Sequence, residues 1–155
     1  GLLADRYACC HWHVTGLYWY DVSSDSPRWS GHRQSSRIGS RNGVALLGDR
    51  ALVTCRGGYA LLSREERRPL DEWGIHRIPD FSFHGKPTVA SDRLYVSDRN
   101  SGIVVVIDIS NPEQPQLVDR LELKEHPGLV AVHNGTPIIP AGYQGLLIWD
   151  ACGGQ

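Results

Sequence analysis

Short apolar runs alternate with polar spacers most clearly between residues 88 and 118. Three runs, at 88–90, 94–96 and 103–109, are separated by spacers rich in Asp, Ser, Asn and Gly. These spacers favour reversal of the chain, because Gly and Asn tolerate positive φ and the short Asp and Ser side chains bond to the nearby backbone. A fourth run, at 116–123, alternates more loosely and carries more charge. The pattern predicts four short antiparallel strands joined by tight turns, the last of them half exposed.

The third run is almost entirely β-branched, with the sequence Ile-Val-Val-Val-Ile-Asp-Ile at 103–109. It is too short to span a membrane, and side chains that are stiff at χ1 disfavour a helix. A nearly continuous apolar run of this length predicts a strand that is buried on both faces. Pro112 and Pro115 follow the run and end the strand, since proline offers no backbone donor to a sheet.

The same unit recurs along the chain at a nearly constant interval. An Asp-Arg pair before an apolar strand begins at Asp5, Asp49 and Asp92, and Asn134 begins a weaker fourth copy, so the intervals are 44, 43 and 42 residues. A glycine at the start of the third strand gives a second, independent marker of the period. These glycines are Gly16, Gly58, Gly102 and Gly145. A repeat in the low forties that is built from four strands is typical of a β-propeller blade.

The repeat predicts an all-β fold, in which blades of four antiparallel strands form an open or incomplete propeller within one domain. We expect blades at about 1–40, 41–84 and 85–126, and an incomplete fourth blade at about 127–155. The chain contains no Met and opens without a basic-then-apolar leader, so we expect a mature or truncated product or a piece of a longer protein, and the phase of the repeat favours the last of these. Closed propellers have roughly 4 to 8 blades, so the end blades are expected to expose apolar faces that would meet further blades or a second copy of the chain.

The third copy of the repeat resembles a known family. Its segment Ile-Val-Val-Val-Ile-Asp-Ile-Ser-Asn-Pro at 103–112, followed by Pro115 and Val118, is similar to the LVIVD repeat of bacterial and archaeal β-propellers, which are often cell-surface proteins. The first copy shares the pattern at 21–27, whereas the second copy has charged residues instead at 63–68. The resemblance implies a propeller fold more than an activity. It also implies an extracellular or cell-envelope location.

Composition narrows the classes of partner. The 155 residues carry a net charge of −1, which provides no long-range field to attract nucleic acid or an anionic membrane. No apolar run approaches the roughly 20 residues that a membrane-spanning helix needs. The four cysteines match no small disulfide framework, so they do not decide the compartment, and a cytoplasmic location stays open.

The stretch Cys-Cys-His-Trp-His at 9–13 is the richest in metal-ligand side chains. Thiols and imidazoles are suitable donors for Zn or Cu. Alternation along a strand would send His11 and His13 to one face and Cys10 to the other, so only part of the set can converge. The spacing also differs from that of separated ligand pairs, which favours an ordinary strand end and hairpin loop over a metal site.

Two further histidines occupy corresponding places in neighbouring copies. His84 and His126 are 42 residues apart, and each precedes the innermost strand of the next blade. Such loops lie at one mouth of the propeller channel, beside the turns between second and third strands, where His11 and His13 are expected. Convergent imidazoles there could bind a metal or move protons. Arg41 interrupts the series, and the simpler interpretation is that His84 and His126 donate hydrogen bonds to loop backbone.

No catalytic residue and no cofactor is predicted. Asp21, Asp108 and Asp150 end third strands, where a carboxylate can accept N–H bonds from the following turn, so we interpret them as structural caps. The sequence has no nucleophile elbow, phosphate loop or dinucleotide-binding motif.

The sequence therefore favours a non-enzymatic repeat scaffold that binds a protein or glycan partner and belongs to a larger surface or envelope protein. The alternative is a metal- or small-ligand-dependent enzyme with a histidine site at the channel mouth. The ligand candidates for that site are His11, His13, His84, His126 and Cys10. A third hypothesis is a self-associating repeat that completes its ring with another copy of the chain.

Overall fold

A computed structural model shows that the protein is built from antiparallel β-sheets. The structure describes residues 2–4, 7–12, 16–33, 43–48, 50–63, 74–78 and 85–150. For the strand residues up to Leu17, and for Trp19, His32 and Arg33, it describes the backbone alone. The described residues form strands, turns and one short 3₁₀ turn, and none of them lies in a helix that could span a membrane.

The described strands form four sheets, and within each sheet neighbouring strands follow one another in the chain. We call these sheets blades one to four. Blade one contains β1 (Leu2–Ala4), β2 (Tyr7–Trp12), β3 (Gly16–Asp21) and β4 (Arg28–Arg33). Blade two contains β5 (Val44–Leu47), β6 (Arg50–Cys55), β7 (Gly58–Leu62) and β8 (His76–Arg77). Blade three contains β9 (Lys86–Ala90), β10 (Arg93–Asp98), β11 (Ile103–Asp108) and β12 (Gln116–Glu122). Blade four contains β13 (Ala131–His133), β14 (Thr136–Pro140) and β15 (Leu146–Ile148), with the 3₁₀ turn at Gly142–Gln144 before β15.

The blades repeat in register as well as in length. Arg93 pairs with Asp108 at one end of the β10–β11 ladder, and Tyr7 pairs with Asp21 at the same end of the β2–β3 ladder. The pairing of the third strand with the fourth shifts between Val106 and Ile107 in blade three and at the equivalent point in blade one. A β-bulge of this kind bends a strand and increases its twist, so both blades acquire the same curvature at the same place.

Blades two and three are held together by an apolar core between their faces. Leu52 and Tyr59 of blade two are fully buried there. They pack in one cluster with four fully buried side chains of β10 and β11. These are Leu94, Val96, Val105 and Ile107. Burial of a Leu, Ile or Val side chain contributes about 1.5–3 kcal/mol, so this core is a main source of stability for the pair of blades.

The opposite face of blade three packs against blade four. Tyr95, Val104 and Val106 form a buried cluster with Val130 and Ile139. Because successive side chains of a strand point to opposite faces, β10 and β11 supply residues to both interblade cores. This explains the continuous apolar run at 103–109, where Val104 to Ile107 are all buried.

Side-chain hydrogen bonds tie neighbouring blades together beside their innermost strands. The Thr54 hydroxyl of blade two donates to the Gly85 carbonyl at 2.9 Å, and the Thr88 hydroxyl of blade three donates to the Val130 carbonyl at 2.7 Å. Gly43 permits the close approach of β5 and β9, since a Cβ at this position would lie 2.6 Å from Pro87 Cδ. The two hydroxyl hydrogen bonds and the close approach at Gly43 therefore fix the spacing between neighbouring blades.

Apolar side chains are exposed at the outer strand of blade three and on one face of blade four. Strand β12 is mostly exposed, with Leu117 and Val118 in contact with solvent. On β15, Leu146 is 72% exposed and Ile148 is 71% exposed. Blade four thus presents apolar side chains to solvent on one face.

The predicted fold class is confirmed, and the individual strands agree closely with their predicted positions. The four strands of blade three begin and end within about two residues of the predicted runs. The described part of the outer strand of blade two is limited to His76–Arg77. Strand β2 continues to Trp12, so His11 lies within a strand and not in the turn after it, where it was expected.

Candidate functional site

Three loops meet at one edge of blades three and four. The connection 123–130 between the blades lies beside the β10–β11 turn, because the Leu123 N–H donates to the Gly102 carbonyl at 2.8 Å. It also lies beside the β14–β15 connection, where a Cβ on Gly142 would be 3.3 Å from Glu125 Oε2. We call residues 99–102, 123–130 and 141–145 together the loop rim.

The β10–β11 turn owes its shape to Asp98 and Gly102. The Asp98 carboxylate accepts hydrogen bonds from the Asn100 N–H at 3.0 Å and from the Ser101 hydroxyl at 2.8 Å. Gly102 has a φ of +73°, and a Cβ on it would lie only 2.5 Å from the Leu123 carbonyl oxygen. Glycine is therefore required here by both the backbone conformation and the adjacent connection.

The β14–β15 connection holds Tyr143 out into solvent. Its backbone is closed by hydrogen bonds from the Gln144 N–H to the Ala141 carbonyl at 3.0 Å and from the Ala141 N–H to the Gly145 carbonyl at 2.8 Å. Tyr143 is 99% exposed, although it sits in a short turn whose ends are fixed by the sheet. An aromatic ring presented in this way makes a large contact area available without ordering a flexible loop.

His126 lies on the loop rim and bonds to backbone. Its Nδ1 is 2.6 Å from the Arg99 carbonyl oxygen. Because a carbonyl can only accept, the ring nitrogen is the donor, and the proton is assigned to Nδ1. This is the backbone contact that the simpler interpretation of His126 expects, and it links the connection 123–130 to the β10–β11 turn.

The other ligand candidates are placed only in part. Cys10 and His11 lie in β2, and their side chains are outside the described part of the structure, as are His13 and His84 altogether. Register with blade three aligns His11 with Ser97, which is buried in that blade. Among the described residues, no three His, Cys, Asp or Glu side chains lie close enough to hold a metal ion. A histidine site at the channel mouth stays a prediction.

The strand-ending aspartates act as structural caps where the structure describes their contacts. Asp21 accepts a hydrogen bond from the Ser23 N–H at 3.0 Å, and Asp108 accepts one from the Ser110 N–H at 2.9 Å. Asp108 also accepts from the Ser110 hydroxyl at 2.6 Å and from Arg93. The bonds from Ser110, followed by the bond from Arg93, lower the pKa of the Asp108 carboxyl to about 2.

A charged junction between blades two and three was not predicted. The Glu113 carboxylate contacts Arg50 Nη1 at 3.3 Å and His76 Nε2 at 3.4 Å. Beside it, the Tyr59 hydroxyl donates to the Pro112 carbonyl at 2.7 Å, and burial raises the pKa of Tyr59. The loop of blade three that contains Pro112 and Glu113 thereby packs over the outer part of blade two. The loop therefore has a structural role.

The loop rim combines apolar and charged groups on one surface. Tyr143 and Leu129 are exposed there, together with the side chains of Arg99 and Lys124, and Glu125 is half-buried. Protein-binding surfaces typically combine an aromatic anchor with a polar border. The described side chains of the rim thus suit recognition of a surface better than covalent chemistry.

Comparison with known proteins agrees with the fold. Residues 89–122 match the LVIVD repeat, so the resemblance of the third copy is confirmed. The chain is similar in structure to BamB from Moraxella catarrhalis, a β-propeller, with a TM-score of 0.64 and 16% sequence identity. The similarity covers 99% of this chain and 44% of BamB, so the chain spans less than half the length of that propeller. No curated protein matches the chain. The protein has a propeller-like fold that contains an LVIVD repeat.

Proposed function

We propose that this repeat scaffold is non-enzymatic and that its loop rim binds a protein partner. The observation that carries the proposal is Tyr143, which is 99% exposed on a connection closed by backbone hydrogen bonds. Tyrosine is enriched among the residues that contribute most to binding at protein interfaces, and a fixed position reduces the entropy lost on binding.

The surroundings of Tyr143 support the proposal. Leu129 adds exposed apolar area on the connection 123–130, and Arg99, Lys124 and Glu125 supply a border of both charge signs. Such a border sets the orientation of a partner and its rate of association more than its affinity. Hydrogen bonds to Gly102 and Arg99 hold the connection against blade three, so the surface is assembled before a partner binds.

Site-specific photocrosslinking in the native host tests the proposal. A benzophenone side chain at position 143 should capture a defined protein partner, whereas the same group at Val118, an exposed position on β12, should not. With the captured partner purified, Tyr143→Ala should raise the Kd at least about 10-fold and Val118→Ala should leave it unchanged. Equal capture at both positions, or an unchanged Kd for Tyr143→Ala, would overturn the proposal.

A glycan is the other partner class that the family resemblance leaves open, and it gives a different result. A purified glycan that binds the wild type and loses binding in Tyr143→Ala would replace the protein partner in the proposal. We further propose an extracellular or envelope location, based on the resemblance of the third copy to LVIVD-repeat proteins. Protease accessibility of the chain in intact host cells tests the location, since a cytoplasmic chain would resist digestion until the cells are lysed.

A further inference from the structure

Blade four exposes an apolar face, whereas the equivalent faces of blades two and three are buried. The side chains on this face are Ile138, Leu146 and Ile148, where Ile138 pairs with Ile148 and Pro140 pairs with Leu146. Leu146 is 72% exposed and Ile148 is 71% exposed. We call these three residues the open face. Apolar side chains clustered on a regular sheet face are costly to leave in water, so the open face is a candidate contact surface.

Register identifies what the open face does in the other blades. In blade three, Tyr95 pairs with Val106 and Ser97 pairs with Val104, which are the same ladder positions. Tyr95, Val104 and Val106 are buried against Val130 and Ile139 of blade four. The equivalent residues of blade two are also covered by the next blade. They are Leu52, Tyr59 and Leu61. In blades two and three, the face equivalent to the open face is therefore covered by the next blade along the chain.

Blade one supplies the complementary positions. The buried residues of β11 in the core with the preceding blade are Val105 and Ile107, and register aligns them with Tyr18 and Tyr20 of β3. Tyr18 and Tyr20 are both half-buried. An aromatic pair at these positions could extend the same stacking that joins blades two and three. Blade four thus exposes the positions that receive a following blade, and Tyr18 and Tyr20 occupy the positions with which a following blade makes that contact.

We propose that the open face of blade four binds blade one of a second copy of this chain, so that two copies close one ring. The described residues of one copy form four sheets, so two copies contribute eight, and closed propellers have roughly 4 to 8 blades. One chain covers 44% of BamB, so two chains approach the size of a complete propeller. With a net charge of −1, the copies repel each other little. Two identical head-to-tail contacts related by a twofold axis close the ring and stop further growth.

The mass of the 155-residue chain in solution tests the proposal. Multi-angle light scattering between about 1 and 100 μM should show a shift towards roughly twice the 17.2 kDa monomer mass. The double variant Leu146→Glu and Ile148→Glu should raise the dimer dissociation constant about 100-fold or more, with an unchanged circular dichroism spectrum because both side chains are exposed in one copy. The matched control, Leu117→Glu and Val118→Glu on exposed β12, should dimerise as the wild type does.

Three results would overturn the proposal. A wild type that stays monomeric throughout this range would show that a second copy does not cover the open face, and that a blade from a longer polypeptide is the better candidate. Masses that keep growing with concentration would contradict a closed ring. Intermolecular crosslinks between cysteines placed at position 148 of both copies, in place of crosslinks between positions 148 and 20, would show that blade four meets blade four. Crosslinks between positions 148 and 20 would support the proposed contact.

Discussion

Gly102 and Asp108 show how individual residues preserve the geometry of the repeat. Each sits at an end of β11, where the chain turns towards a neighbouring strand. Gly102 allows the β10–β11 turn to approach the connection 123–130, and Asp108 collects hydrogen bonds from Ser110 and Arg93. The position of both residues was predictable, since turn residues and strand-ending carboxylates have local sequence signatures. The approach of Gly102 to Leu123 was not predictable, because it depends on contacts 21 residues apart.

Replacement of Gly102 by alanine should be more destabilising than the same change at Gly135. Both glycines have positive φ, +73° and +80°, so alanine is strained at either position. At Gly102 the new Cβ would also meet the Leu123 carbonyl oxygen, whereas open space surrounds Gly135. We expect a loss of about 1 kcal/mol at Gly135 and of roughly 2 kcal/mol or more at Gly102. Urea unfolding measures both values, and equal losses would contradict the close approach.

Removal of the Asp108 charge should change how stability depends on pH. Hydrogen bonding lowers the pKa of this carboxyl from 3.8 to about 2 in the folded protein. The folded state therefore favours the carboxylate, and its contribution is fully present above pH 3.8 and is lost as the pH falls towards 2. Asp108→Asn should lower the melting temperature at pH 7 and flatten its fall between about pH 4 and pH 2.

The control for Asp108 is Asp25, an exposed carboxylate on the loop that follows β3. Asp25→Asn removes one carboxylate but leaves the bonds from Ser110 and Arg93 in place, so it gives the reference for the change measured in Asp108→Asn. If Asp108→Asn also retained the full wild-type slope below pH 4, the bonds from Ser110 and Arg93 would not stabilise the charged form.

At the scale of the element, β11 was the most predictable strand and β8 the least. The apolar run of β11 is uninterrupted because both faces of the strand pack in apolar cores. The local sequence alone therefore indicates that the strand is buried. Strand β8 has two described residues, His76 and Arg77, and neither is apolar. Its place in the sheet comes from pairing with Tyr59 and Gly58, which local pattern does not reveal.

Truncation of the buried Ile107 should destabilise the protein more than truncation of its exposed cross-strand partner. Ile107 of β11 is fully buried and lies opposite Leu117 of β12, which is 39% exposed. Ile107→Ala should lower the free energy of unfolding by about 2–5 kcal/mol, since it leaves a cavity in the core between blades two and three. Leu117→Ala should lower it by less than about 1 kcal/mol. Chemical denaturation measures both losses, and a reversed order would contradict the assignment of inner and outer strands.

At the scale of the whole molecule, the period of the sequence predicted that the blades stack, but it did not predict the polar contacts between stacked blades or the exposed residues on their loops. The interval of 42 to 44 residues and the apolar runs were enough to infer a propeller. The junction of Arg50, His76 and Glu113 was missed because its members are up to 63 residues apart and meet only after blades two and three stack. Tyr143 was missed because a lone exposed aromatic residue has no sequence signal.

Hydrogen–deuterium exchange tests the central claim, that neighbouring blades cover the middle strands of blades two and three. Amide protons of β6, β10 and β11 should exchange most slowly, because these strands are paired on both sides and buried on their faces. Those of β12 and β15 should exchange faster, since both strands have exposed side chains and lie at the ends of their described sheets. Exchange in β10 and β11 as fast as in β12 would contradict face-to-face stacking of the blades.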